Sequence, residues 1–418
     1  MLKLYKLIVI LTKNPSEFKQ VFYFLIHFLN NKRFFVMNLD RVGNFPNDAA
    51  TYFINNRSNK EKNILVFPKS YKLFQVANHL LLDEIILKFK NENFKYVKSD
   101  IIFRIVESQA RKNILYKRFF FSKSSKYYNF VRKKKYRFVR AHHTATSIGE
   151  QEKNFTFLNK SQFILKHKNR IKKIFDKINF DNKNYICSYT RDSEYLKKLS
   201  RIDKIDYSYH NYRDDKYEKL SKAINYLNKK KISAVRIGNI KRKVSKKYFN
   251  KNHYDYKFNL KKNYEDALII SSCKFLLCDT SGISAFADLF GIPIAKYNWI
   301  PIFNSVRRKT IVTPMLFKSI VDNKYINFFK AYEVLKSNNA IFNKKNVSYE
   351  DLGIKLVLNT ENEILDTASE INNRVDKNNF TSWNSHQTKY ESKMKKIGFS
   401  NPGLISNNFI KKYYYLFN

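Results

Sequence analysis

The stretch CDTSGISAFADLFGIP, Cys278–Pro293, holds two of the eight glycines in a chain of 418 residues. Immediately upstream, Cys273–Cys278 is a short apolar run of the length of a buried strand. Asp279, Thr280, Ser281 and Gly282 follow as a polar turn. Ile283, Phe286, Leu289 and Phe290 then recur at helical spacing. Gly291 suits the C-terminal cap of that helix, and Pro293 stops its continuation. Ile292–Tyr297 reads as the next strand. Strand, turn, helix and strand in this order make the βαβ unit of a parallel sheet, whose ligands bind beyond the carboxyl ends of the strands. The turn offers backbone N–H groups, a hydroxyl from Ser281 or Ser284 and a helix start, the parts of a phosphate or sugar site. A second reading stays open: Asp279 or Ser281 caps the helix and Gly282 eases the turn.

Working outward, Tyr185–Tyr189 is a strand that ends in Thr190-Arg191-Asp192-Ser193. Tyr217–Leu227 reads as a helix and Ala234–Gly238 as a strand ending in glycine. In the first half, Arg33–Leu39 is a strand running into the turn Asp40–Pro46, with a helix over Asn47–Asn55. Ile64–Phe67 reads as a strand, Leu73–Lys90 as helical, and Ile101–Val106 as a further strand. A helix follows over Lys160–Ile178, another over Glu361–Asn373, and a helical, Tyr-rich tail begins near Asn407. The fold class is α/β in two halves. The expected division is a helical segment 1–33, an α/β domain 34–178, an α/β domain 179–385, and a tail 386–418 packing back toward the first domain.

Net charge is +45, with 80 Lys and Arg against 35 Asp and Glu. Such a field draws nucleic acid, anionic lipid or phosphorylated substrates. The lysines are dispersed; Arg132–Lys135 and Lys229–Lys231 read as solvated surface. No aromatic-basic RNA motif or zinc-finger spacing occurs, so no specific nucleic-acid partner is expected. Cys187, Cys273 and Cys278 form no CxxC pair, which suits buried thiols in a reducing cytoplasm. The N-terminus lacks a small-residue cleavage site, so no signal peptide is expected. Phe18, Val21, Phe22, Leu25, Phe28 and Leu29 share one helical face, with Lys13, Lys19, Lys32 and Arg33 nearby. That face suits either core packing or a peripheral position on an anionic membrane.

Several chemistries lack their motifs. There is no GxG fingerprint, no GxxxxGK loop, no HExxH, no GxSxG and no DxD pair. A nucleotide's phosphates would therefore be met by Arg, Lys and backbone amides, with no metal or cofactor. Arg191, Arg213 and Arg236 lie in or beside strand ends of the second half, and Arg41 lies at the corresponding place in the first. Each also suits a structural ion pair, Arg191 with Asp192 or Arg213 with Asp214.

Taken together, Tyr189–Leu196, Tyr209–Asp214, Val235–Gly238, Ser281–Ile283, Phe290–Pro293 and Asn298 resemble a family of bacterial glycosyltransferases associated with surface-polysaccharide loci. Its members carry blocks of the form hxRDSxYL, YRN, VxRxG and SGxxxxxxxFGxPxxxxN. Arg41-Val42-Gly43 resembles its early RxGH turn, and Asn359–Ile364 its NTxEEI helix start, so the likeness runs over most of the chain from about residue 35. This sequence departs from the family at Asn44, where His is usual, at Asp214, where Asn is usual, and at Lys231, in place of a Gly.

The resemblance implies two Rossmann-like domains facing across a cleft, the GT-B arrangement, with the donor on the C-terminal half. It implies a cytoplasmic glycosyltransferase that moves a sugar from a nucleotide-activated donor to a surface-polysaccharide or lipid-linked saccharide. Arg191 is the first choice to meet the leaving diphosphate. Ser281, Gly282, Ile283 and Ser284 come next, with Asp192, Ser193, Arg213, Arg236 and Gly238 in support and Asn298 at the base or ribose. Arg41, Gly43 and Asn44 fall on the acceptor side. Asp40, Asp48, His142 and His143 are the candidates for the acceptor-activating base. Two alternatives stay open: a polyanion-binding protein without catalysis, and a pyruvyl or phosphoryl transferase on the same fold.

Overall fold

The computed structural model describes residues 15–39, 43–58, 60–61, 63–71, 76–112, 138–140, 156–180, 184–192, 197, 208–238, 244–249, 251–256, 265–300, 306, 309–338, 340, 347–399 and 403–418. The chain divides into two compact units, Met1–Ser147 and Ile148–Asn418. It is an α/β protein, and each unit is built on a parallel sheet.

The first unit carries helix α1 (Pro15–Leu29), strand β1 (Arg33–Val36), α2 (Asn44–Asn56), β2 (Asn63–Phe67), α3 (His79–Asn91), β3 (Tyr96–Lys98), α4 (Asp100–Lys112) and β4 (Phe138–Arg140). The strand order is β3-β2-β1-β4, all parallel. The run NILVF of β2 is buried at every position, as a strand covered on both faces must be. Aromatic rings fill the space behind it: Tyr52 lies 5.0 Å from Phe35 and 5.8 Å from Phe89. Ile101–Val106, expected as a strand, belongs to α4. Ile102, Phe103, Val106 and Ala110 are buried there at helical spacing, and the β-branched run had masked that period.

The second unit runs α5 (Lys160–Lys177), β5 (Tyr185–Tyr189), α6 (Ser221–Lys229), β6 (Ser233–Arg236), β7 (His253–Asp255), α7 (Glu265–Ser272), β8 (Leu276–Cys278), α8 (Ser284–Phe290), β9 (Ile294–Trp299) and β10 (Thr310–Pro314). A hairpin of β11 (Leu316–Ser319) and β12 (Ile354–Val357) flanks α9 (Phe328–Ser337). Then come α10 (Glu361–Asp376), α11 (Ser385–Lys396), β13 (Leu404–Ile405) and α12 (Asn407–Lys412). The main sheet is parallel throughout, in the order β13-β10-β9-β8-β5-β6-β7. The chain lays β6 and β7 on one side of β5, then returns to lay β8, β9 and β10 on the other. The strand order therefore reverses between β5 and β8, and a crevice beyond the carboxyl ends at that point is where doubly wound sheets bind ligands.

Two expected boundaries move. Helix α5 belongs to the second unit, not the first: it packs on α7, and the ring of Phe163 lies 4.6 Å from that of Phe290. The C-terminal tail, expected to return toward the first domain, is likewise built into the second unit. There β13 extends the sheet beside β10, and Phe417 stacks on Phe328 at 4.0 Å.

A chain this poor in glycine ends its helices another way. Asn31, Asn93, Asn179 and Asn378 adopt left-handed φ values of 57°, 59°, 49° and 44°, each just past a helix end. Asparagine is the residue that tolerates this cap conformation best after glycine. Lys231 takes the same place after α6 with φ 60°. Lys231→Gly is therefore expected to stabilise the unit by about 0.5–1 kcal/mol. A higher urea midpoint at unchanged slope is the expected result, and a lower one would contradict this account of the cap.

Candidate functional site

The carboxyl ends of β5 and β8 are tied together by a buried carboxylate. Asp279 follows β8, and its Oδ2 accepts the backbone N–H of Arg191, which follows β5. Its other oxygen, Oδ1, is buried and has no hydrogen-bond partner among the described residues. Complete burial pushes the Asp279 carboxyl up to about 7, against the pull of the Arg191 amide and charge. The result is a clamp across the point of strand reversal.

The Arg191 side chain, only 8% exposed, pairs through Nη1 with the Asp214 carboxylate. Burial disfavours charge on both partners: it lowers the guanidinium, helped by neighbouring Arg213, and raises the Asp214 carboxyl against the pull of Arg191. The expected local partner, Asp192, is not the one that engages Nη1. Arg213 stands beside this pair over the ring of Tyr212, at 5.6 Å. Its Nε is buried with no hydrogen-bond partner among the described residues.

The opening stretch folds largely as read. Helix α8 starts at Ser284, and Gly291 caps it with φ 66°. A Cβ at Gly291 would lie 2.7 Å from Thr156 Oγ1, so space as well as backbone requires glycine. Ser284 Oγ donates to Ser281 O at 3.0 Å, closing the turn. Gly282 is exposed and does not occupy the left-handed region, so the turn itself does not demand glycine. The backbone N–H groups of Ser281, Gly282 and Ile283 make no hydrogen bond among the described residues, as befits a helix start.

Asn298, expected at a base or ribose, is fully buried at the end of β9 with φ 47°. Its N–H donates to Asn359 Oδ1 at 2.6 Å, its Oδ1 accepts from Asn359 N–H at 2.7 Å, and its Nδ2 donates to Asp215 Oδ2 at 2.8 Å. Thr280 Oγ1 donates to the Asn298 carbonyl at 2.7 Å. This clasp fixes the loops beyond β8 and β9 and engages both polar atoms of the Asn298 side chain with protein partners.

Arg236 is also internal. It is 1% exposed, pairs with Asp255 at 2.8 Å and lies 4.5 Å from the centre of the Tyr217 ring. Parallel register sets Arg236 opposite Asp255 on β7, so the charge closes the sheet edge. Gly238 has φ 96°, and a Cβ there would come within 2.3 Å of the Tyr189 ring. In the first unit, buried Asp48 accepts the N–H of Asn38 at 3.1 Å and so holds the exit of β1. Gly43 precedes α2, and its carbonyl accepts from Asn47 Nδ2 at 2.9 Å. Asn44 opens α2. Asp40, Arg41, His142, His143 and Ser193 lie outside the described residues.

The structure thus brings Arg191, Arg213 and the Ser281–Ser284 turn to one edge of one sheet, with Asp192 beside them. Sequence reading missed Asp279, Asp214, Asp215, Thr280 and Asn359 as the groups that hold this edge. Only Asp279 carried a signal, its place at the strand end before Thr-Ser-Gly.

No protein-family model matches the chain, and no curated protein matches it. Among solved structures it is similar to the crystal structure of the glycosyl transferase family 9 from Veillonella parvula DSM 2008. The identity is 10% and the TM-score 0.40, over 82% of this chain and 97% of that one. A likeness this distant assigns no residue a role. Among the described residues, no helix is long and apolar enough to cross a membrane.

Proposed function

We propose that this protein is a metal-independent glycosyltransferase whose nucleotide-sugar donor places its diphosphate beyond β5 and β8. One observation carries the reading. The strand order reverses between these two strands, and beyond their carboxyl ends stand two guanidinium groups and a turn whose amides make no hydrogen bond among the described residues. As the glycosidic bond breaks, negative charge grows on the departing nucleotide diphosphate, and fixed donors already in place stabilise that charge most in the transition state. Arg191 carries the planar guanidinium that suits phosphate oxygens, and Asp214 engages its Nη1. Arg213 adds a second guanidinium, and Ser281, Gly282 and Ile283 add amides. Asp279 positions Arg191 by holding its backbone.

The acceptor is a surface-polysaccharide or lipid-linked saccharide taken by the first unit, at the inner face of the cytoplasmic membrane. Asp40, Asp48, His142 and His143 are the candidates for the base, and Asp48 is held in place by the Asn38 N–H.

A thermal-shift screen against UDP, GDP, CMP and dTDP, each with its sugars, tests this reading. One nucleotide family should raise the melting temperature, since ligand at roughly 100 times its dissociation constant adds about 2.7 kcal/mol to stability. Stabilisation by heparin or RNA with none by any nucleotide would contradict the proposal and favour a polyanion-binding protein.

A further inference from the structure

We infer that α1 and the neighbouring strand β3 form a docking surface for an anionic phospholipid bilayer. Helix α1 carries apolar residues on two faces, and only one of them packs. On the inner face Phe24 is buried with its ring 4.5 Å from that of Phe34, and the Glu17 carboxylate accepts the Ser99 hydroxyl. These contacts fix the rotation of the helix. On the outer face Phe18, Phe22, Leu25 and Leu29 are 57%, 58%, 48% and 77% exposed, and they follow one another at helical spacing. Val21 and Phe28, expected on the same stripe, are half-buried. A run of large exposed apolar side chains on one helix marks an interaction surface.

A groove of about 390 Å³ beside this stripe is lined by Lys19, Phe22, Tyr23, Ile26, Phe94 and Lys95, among others. Apolar wall and ammonium groups together suit the acyl chains and phosphates of a membrane surface. Lys32 lies at the end of the helix, where its Nζ donates to the Glu61 carbonyl, and the Glu61 carboxylate stands 3.6 Å from Lys95. Charge selects the occupant. Each chain carries +45, so a second copy meets repulsion where an anionic bilayer meets attraction. At 15 residues α1 is too short to span a bilayer and suits one lying in its surface. The inference rests on the first unit alone: failure of lipid binding leaves the donor reading standing, and the reverse holds too.

Vesicle flotation of the full chain tests it. Binding to phosphatidylcholine vesicles containing phosphatidylglycerol is expected, with binding to pure phosphatidylcholine about tenfold weaker or more. Phe18→Ser/Phe22→Ser/Leu25→Ser/Leu29→Ser should lose about tenfold or more in affinity with its melting curve retained, because those side chains are already exposed. Lys19→Glu/Lys95→Glu should lose the preference for phosphatidylglycerol and keeps the test open if the serine variant fails to fold. Phe22→Trp should shift its emission to the blue on adding anionic vesicles. Serine or glutamate variants that float like the parent chain would overturn the inference. So would a Phe22→Trp emission that ignores vesicles, or a dimer in solution that the serine changes dissociate without any lipid binding.

Discussion

Arg191→Lys is expected to weaken binding of the preferred nucleoside diphosphate about tenfold or more, and to lower turnover about a hundredfold. Lysine keeps the charge and loses the fork, so a bidentate phosphate contact disappears while the general field survives. The Asp214 pair makes the companion experiment informative. That carboxylate engages Arg191 Nη1, so a diphosphate on Arg191 would compete with it. Asp214→Asn should therefore tighten binding. Arg191→Ala should differ from both, since it takes the guanidinium from a half-buried carboxylate that keeps only the more distant pull of Arg213 and Lys197, and it should cost about 1–3 kcal/mol of stability. Titration calorimetry and urea unfolding on the three variants separate these effects. Unchanged nucleotide affinity in Arg191→Lys, with looser binding in Asp214→Asn, would make the pair a scaffold and nothing else.

The second large effect falls on Asn298. Asn298→Ala removes the two hydrogen bonds of the side chain, 2.7 and 2.8 Å, leaves the Asn359 N–H without its acceptor, and puts alanine at φ 47°, in the left-handed region. A loss of about 2–4 kcal/mol is expected, from the unmet amide and from the left-handed backbone that alanine tolerates poorly. Asn298→Asp keeps the shape but turns a donor into a carboxylate against Asp215, and it should destabilise as well. The clasp assigns both losses to folding, so urea midpoints should fall while nucleotide affinity of the folded fraction stays within about twofold. Full stability with selective loss of nucleotide binding would return Asn298 to the ligand.

What the sequence made legible was local. The unit from β8 to β9 could be read because each sign lies within a few residues of what it controls: an apolar strand, a polar turn, four apolar positions at helical spacing, and Gly291 in the left-handed region. Arg191 was placed at the right strand end, yet its partner is Asp214, 23 residues along, and nothing in the adjacent Arg-Asp pair discloses that. Arg236 looked like a site residue because β7 went unseen; once β7 pairs beside it, Asp255 answers the charge. The helix ends before Asn93 and Asn179 were read to within a residue from where the apolar period stops, whereas the end before Asn378 was set three residues short, because asparagine, which also populates loops, does the work of glycine there. Helix α5 gave its period and not its address: an amphipathic face shows that something covers it, and only the fold shows that α7 does.

The central claim is that a nucleotide diphosphate binds where the strand order of the second unit reverses. Hydrogen exchange followed by mass spectrometry, with and without the nucleotide that stabilises the chain, tests it most directly. Peptides covering 189–192 and 279–285 should exchange more slowly with ligand bound, with smaller changes at 208–215. The β6–β7 edge around Arg236 and Asp255 should not respond. Protection confined to the first unit, or to the β6–β7 edge, would contradict the account.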